Sequence, residues 1–371
     1  MIFLFWHGSP CQKSETEEEA DHMYHPDWPF AVDLAVFILS GVMVAVIGVR
    51  LTRYTARIAR RTGLGQALTG ALFLGASTSL SGIITSLTAA AQGHPELAAS
   101  NAVGGIAAQT MFLAVADRRY RAANLEHAAA SDENMLQGAL LIALLAGALL
   151  AAFSPEVTAF GVHPVTPALF LAYIFGQRMV NTAKGQEMWQ PRVTEQTYLE
   201  EEAAPATQGK NTAEPKMLLW VQFISAAGII GILGYVLAKS GVQIAEVTGM
   251  NETTLGGLFT AVVTSFPELI TTIAAVKIGA LTLAVSGIMG GNAFDVIFLG
   301  VSDVAYRGGS VYHAMGERPV FLIMLTILLT SILLLGLIRR EKHGIGNIGF
   351  ESFLLFLVYF GGFLIIVTSM N

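Results

Sequence analysis

Apolar positions along the chain fall into ten runs of about 20 residues, the length an α-helix needs to cross a hydrocarbon core. They lie at 30–51, 64–87, 97–117, 136–154, 158–177, 217–238, 254–277, 281–303, 319–338 and 349–370. Most charged residues lie in short connections and one longer one. Residues 178–216 are acidic and rich in Pro and Ala (EQTYLEEEAAPATQGKN). The pattern predicts an all-α polytopic membrane protein with ten transmembrane helices in two sets of five, 30–177 and 217–371. The connection at 178–216 is too short for a regulatory domain and reads as a linker. Residues 1–29 read as an acidic, poorly ordered extension; their start, MIFLFWHGSPC, is too short and too poor in basic residues for a signal peptide.

Composition agrees with the pattern. Of 371 residues, 53% are hydrophobic and 13% charged, and the mean hydropathy is +0.59; a soluble domain carries about 25% charged residues. The single cysteine, Cys11, excludes an intramolecular disulfide and a cysteine-based metal cluster. The net charge of −6 sits in loops and in the N-terminal segment, and nothing in it points to nucleic acid. The expected partners are the bilayer and transported ions, and no cofactor is expected.

Lys and Arg set the orientation. If the ten runs span, 17 basic residues fall on one side, among them Arg50, Arg53, Arg118, Arg178, Lys216, Lys277 and Arg339, and 4 on the other, Lys13, Lys239, Arg307 and Arg318. That split places the linker in the cytoplasm and both termini outside, in a plasma (bacterial inner) membrane.

Two windows of 48 residues, 70–117 and 256–303, match without a gap at an offset of 186, with nineteen identities that include Ser79/Ser265, Gly93/Gly279, Gly104/Gly290, Gly105/Gly291 and Asp117/Asp303. Shared small and aliphatic composition accounts for only ~10% identity, so the match is an internal duplication. Five helices per half is an odd number, and the second half therefore enters the membrane in the opposite sense. Duplication with an odd count predicts two inverted-topology repeats, an architecture in which substrate sites lie near the midplane between broken helices.

The polar residues inside the apolar runs mark where that site lies. Pro267 breaks the seventh run, freeing carbonyls near Val263, and Glu268 follows at once. Thr264, Glu268, Thr271 and Thr272 share a helical face by spacing, as do Asn292 and Asp295 in GGNAFD, 290–295. Carboxylates at membrane depth are expensive and usually functional. Two carboxylates with hydroxyl and carbonyl oxygens, and no His or Cys, form a hard-cation set suited to Ca²⁺ or Na⁺. Asp117 and Asp303, which end their runs, are expected to meet solvent. So are Asp33, Glu351 and the loop histidines His94, His127, His163, His313 and His343. Asn251-Glu252-Thr253 has the form of a glycosylation triplet.

TSFPEL (264–269) followed by GGNAFD (290–295) resembles the second α-repeat of the Ca²⁺/cation antiporter superfamily, the sodium/calcium exchangers; TSLSGI (78–83) with GGIAAQ (104–109) is similar to the first. The resemblance implies a secondary antiporter exchanging Ca²⁺ for Na⁺ or H⁺. It implies Glu268 as the calcium-ligating carboxylate, with Thr264, Ser265, Asn292 and Asp295 around it, the carbonyl of Ala261 nearby, and Thr78, Ser79, Gln109 and the carbonyl of Gly75 as first-repeat counterparts. The chain departs from that pattern where the first repeat has Ser81-Gly82 in place of Pro-Glu, and Ile106 in place of Asn. Glu268 and Asp295 still neutralise one Ca²⁺ if both ionise; with one carboxyl protonated, the site suits a single Na⁺ or H⁺. A divergent carrier of another cation and a non-transporting scaffold are the rival readings. An intramembrane hydrolase built on Ser79 or Ser81 has no His or Lys in a nearby apolar run to serve as base.

Overall fold

The computed structural model describes residues 29–62, 79–119, 124–183, 216–277, 281–341 and 349–369. The linker, the extension at 1–28, Thr78, Gly75 and His343 lie outside the described residues. Among the described residues the chain is all-helical, in the order α1 Phe30–Thr62, α2 Leu80–Ala91, α3 Pro95–Arg119, α4 Leu125–Ala128, α5 Asp132–Phe153, α6 Val165–Ala183, α7 Lys216–Thr248, α8 Glu252–Thr264, α9 Phe266–Lys277, α10 Leu281–Asp295, α11 Ile297–Ala305, α12 Val311–Ala314, α13 Glu317–Arg339 and α14 Phe350–Ser369. Among the described residues seven stretches are long and apolar enough to cross a membrane, or eight if the pair α8–α9, bent by 46°, is one span. The chain is an integral membrane protein.

Helices divide into inner and outer ones by residue size. In the most apolar 18-residue window of α3, 89% of the residues are buried, against 28% in those of α1 and α7. Small side chains explain the inner place of α3: Ala98, Ala99, Ser100, Ala102, Ala107 and Ala108 are all fully buried. A Cβ on Gly104 would collide with the backbone of Gly257 in α8, so these helices touch main chain to main chain. The outer helices present Leu39, Val42, Ile224 and Ile232 outward, as lipid requires. α1 and α7 pack along each other, and α1 crosses the broken pair at Gly41 and Gly48, where side chains would strike Val263 and Pro267.

Asp117 and Asp303 do not meet solvent; both are fully buried. Asp117 accepts bonds from the amides of Leu125 (2.7 Å) and Gly349 (3.4 Å) and from Ser352 Oγ (2.9 Å). Asp303 accepts from the amides of Val311 (3.0 Å) and His163 (2.8 Å) and from Thr166 Oγ1 (2.7 Å). Every partner in one set maps onto the other by the same offset of 186. The physical reason is the orphaned amides at helix starts: each carboxylate ends its own helix and caps two others, one from its own half of the chain and one from the other half. The two caps lie at opposite ends of the bundle, because Arg318, close to the Asp303 cap in sequence, reaches Glu96 at the start of α3 (3.5 Å), whereas Asp117 is at the end of α3.

Other expectations of exposure fail for Asp33, Glu351, His163 and His127, and hold in part for the half-buried His94 and His313. Asp33 and Glu351 are buried in the first turns of α1 and α14. His163 is buried beside Asp303. His127 is buried with Nδ1 2.7 Å from the carbonyl of Arg340, and His313 bonds the carbonyl of Ser154 at 2.7 Å. His94 Nδ1 lies 2.6 Å from Glu252 Oε1, whose other oxygen accepts from the amide of Leu97 (3.1 Å). Glu96 reciprocates, accepting from Thr253 Oγ1 (2.6 Å). This clasp ties the first turn of α3 to that of α8. The Glu252 carboxylate raises the His94 pKa above its ordinary value, against the opposing effect of burial. Asn251 is the N-cap of α8, its side chain accepting from the amide of Thr254 (2.7 Å).

Candidate functional site

The seventh apolar run is not one helix. Leu255–Thr260 is wound as a π-helix, and α8 gives way to α9 at Ser265, whose φ of −94° and ψ of 4° lie in the sparsely populated bridge region. Ser79, its counterpart at the 186 offset, precedes α2 with φ −86° and ψ 4°. The two serines thus share one backbone conformation. Pro267 falls in the first turn of α9, where its missing N–H is no loss. Glu268 follows it in the same turn, where the helix amides favour a negative charge.

Glu268 is 7% exposed and Asp295, the last residue of α10, 1%. Ser79 Oγ donates to Glu268 Oε1 at 3.5 Å. Gln109 Nε2 donates to Asp295 Oδ2 at 2.7 Å and reaches Ser265 Oγ at 3.3 Å. Gln109 and Asp295 occupy equivalent positions of the two windows, so this bond joins a residue to its own counterpart across the centre. Ser81 Oγ donates to the Thr264 carbonyl at 3.2 Å, supplying a bond that the break at Ser265 leaves unmade. Asn292 Nδ2 donates to Thr110 Oγ1 at 3.0 Å and to the Ile106 carbonyl at 3.5 Å.

Three acceptor oxygens in this group, Asp295 Oδ1, Gln109 Oε1 and Asn292 Oδ1, are buried with no hydrogen-bond partner among the described residues. Each costs on the order of 1–3 kcal/mol in that state, and a cation would remove the cost. Glycines make room beside two of the polar groups: a Cβ on Gly291 would lie 3.7 Å from Gln109 Oε1, and one on Gly105 3.5 Å from Ser265 Oγ. Among the described residues no three His, Cys, Asp or Glu side chains converge. The donors are two carboxylates and neutral oxygens, which is hard-cation chemistry.

The structure therefore brings together Glu268, Asp295, Ser265, Ser79 and Gln109, and sets Asn292 beside them on α10. Thr264 is adjacent in a different way. The i, i+4 register linking it to Glu268 runs through the bend at Ser265, and its hydroxyl turns back to the Ala261 carbonyl (3.2 Å). Thr271 likewise bonds the carbonyls of Pro267 and Glu268, at 3.0 Å each. Sequence reasoning missed Thr110 and the Ser81 bond, neither of which has a polar counterpart at the 186 offset.

Comparison with known proteins places this geometry in a family. The sequence model of the sodium/calcium exchanger protein family matches residues 32–176 and 218–369. A putative antiporter, CaxA, of Alkalimonas amylolytica is 26% identical over 324 residues, covering 86% of this chain and 96% of the relative. An H⁺/Ca²⁺ exchanger, CAX, has a similar fold at a TM-score of 0.61 and 14% identity, over 95% of this chain and 88% of its own. The sodium-calcium exchanger NCX_Mj is similar at a TM-score of 0.53 and 18% identity, over 92% and 99%. With the family match spanning both halves and the buried carboxylates at their junction, this chain belongs to the sodium/calcium exchanger family of cation antiporters.

Proposed function

We propose that the protein is a secondary active antiporter that moves Ca²⁺ across the membrane against Na⁺ or H⁺ by alternating access. The observation that carries this reading is the buried pair Glu268 and Asp295, with unpartnered oxygens on Asp295, Gln109 and Asn292. Glu268 and Asp295 bear the cation. Ser79, Ser265 and Gln109, with Thr264, Asn292 and Thr78, surround it with neutral oxygens. The relative named as a putative antiporter, CaxA, supports the same class of reaction.

The architecture we propose is ten spans in two inverted repeats of five, 30–177 and 217–371, with the linker in the cytoplasm and both termini outside. The reciprocal Asp117 and Asp303 caps, at opposite ends of the bundle and in one register, support the inversion. The lipid-facing pair α1 and α7 is the mobile part: it rocks over the broken helix, which it crosses at small residues. A second reading, a carrier of a different cation, is favoured by the uncharged Gly82 and Gln109 in the first half. A competition series of Ca²⁺, Mn²⁺, Mg²⁺, Na⁺, K⁺ and pH in one set of vesicles separates the two. The decisive test is Glu268→Gln in proteoliposomes. Loss of ⁴⁵Ca²⁺ or ²²Na⁺ exchange is expected, and wild-type activity in this variant would refute the site.

A further inference from the structure

The two halves of the pocket are unequal. The 186-residue register sets Gly82 opposite Glu268 and Gln109 opposite Asp295, so both central carboxylates come from the second half. The place of the missing side chain is closed. A Cβ on Gly82 would lie 2.9 Å from Phe298 Cε2, with Cδ2 and Cζ at 3.7 Å. Phe298 has its counterpart in Phe112 of the first half, and its own ring lies against Gly82 at a distance no Cβ tolerates. Phe298 is buried and braced edge-on by Phe294 (centroids 6.1 Å apart), which is braced in turn by Tyr173 (5.9 Å).

Among the described residues no further buried carboxylate lies mid-helix beside the pair. The other buried carboxylates stand at helix ends, Asp33 and Glu351 in first turns and Asp117 and Asp303 in last turns. Residues 63–78 and 278–280, beyond the described set, contain no charged residue. Resting on the antiport reading above, we propose that Phe298 seals the first-repeat half of the pocket, limits the compensating charge to the two carboxylates, and so makes exchange electroneutral, with one divalent cation moving against two monovalent ones. The charge balances at each half-cycle. Two carboxylates travel with one divalent cation in one direction and with two Na⁺ or two H⁺ in the other. A third positive charge would cross the low-dielectric centre uncompensated.

The test uses the full-length protein in proteoliposomes, with the membrane potential clamped by K⁺ and valinomycin and ⁴⁵Ca²⁺ uptake driven by a Na⁺ or H⁺ gradient. The expected equilibrium accumulation is independent of the potential. A third charge would shift it roughly 50-fold per 100 mV, and that result overturns the proposal without any variant having to fold. In Phe298→Ala/Gly82→Glu, the added carboxylate is expected to introduce potential dependence, while Gly82→Glu alone gains none. Equal potential dependence in the single and double variants would remove Phe298 as the seal. Failure of the wild type to exchange ⁴⁵Ca²⁺ with either gradient, together with no thermal stabilisation by Ca²⁺ or Na⁺, would instead sink the antiport reading on which the proposal stands.

Discussion

Asp117 and Asp303 hold the two ends of the bundle with the same three kinds of bond, to partners in one register. Midway between them the register pairs Gly82 with Glu268 and Gln109 with Asp295, and the halves differ in charge. The contrast follows from what each place must satisfy. A cap serves backbone amides, which every helix start presents whatever its side chains; the same carboxylate solves the same problem twice. The centre must match the charge of a cargo, and that requirement falls on the sum of the two halves. One half can hold both carboxylates if the other supplies hydroxyl and amide groups, as Ser79, Ser81 and Gln109 do.

Variants at the centre carry the largest expected effects. Glu268→Gln and Asp295→Asn should each abolish cation exchange in proteoliposomes while the protein stays folded, since each removes one of two charges. If only one of the two does so, the carboxylates do not act as a pair. At the ends, Asp117→Asn and Asp303→Asn should each lower stability by roughly 1–3 kcal/mol, because a buried acceptor of three bonds loses one of its two oxygens. Chemical denaturation of the detergent-solubilised protein reads this directly. Unequal losses would break the equivalence of the two ends.

A smaller effect is expected at the clasp between α3 and α8. The His94 pKa in the folded protein is raised, chiefly by Glu252. The stability this adds is fully present below the ordinary histidine value of about 6.5 and is lost as pH rises through the raised folded value. Glu246 strengthens the effect, and burial and Lys239 weaken it. Thermal stability should therefore fall as pH is raised through that window, and His94→Gln should flatten the profile; an unaltered slope would remove the clasp from the account. The smallest effect is at Thr272, one turn beyond Glu268. Thr272→Ala should leave exchange near the wild-type rate, and a large loss would extend the site along α9.

Much of the site was legible because charge inside an apolar run stands out. Glu268 beside Pro267 and Asp295 beside a glycine pair needed only hydropathy to be found. The duplication made Ser79 and Gln109 legible too, through their register with Ser265 and Asp295. What escaped were residues whose role depends on distance. The spacing that put Thr264 on the face of Glu268 is that of one continuous helix, and a 46° bend at Ser265 lies between them. Asp117 and Asp303 were flagged by identity, yet their place at the ends of apolar runs suggested solvent, where the fold folds neighbouring helix starts over them.

The sequence by itself determined that this is a helical membrane protein, that two of its windows match at one offset, and that both mid-run carboxylates, Glu268 and Asp295, lie in its second half. Those properties are written in local composition and in a linear offset. Only the tertiary structure decided that Gln109 bonds its own counterpart, that the carboxylates at the helix ends are caps, and that Phe298 stands where a first-half side chain would begin. Each of these depends on segments more than a hundred residues apart meeting at a few ångströms, which helical periodicity does not encode.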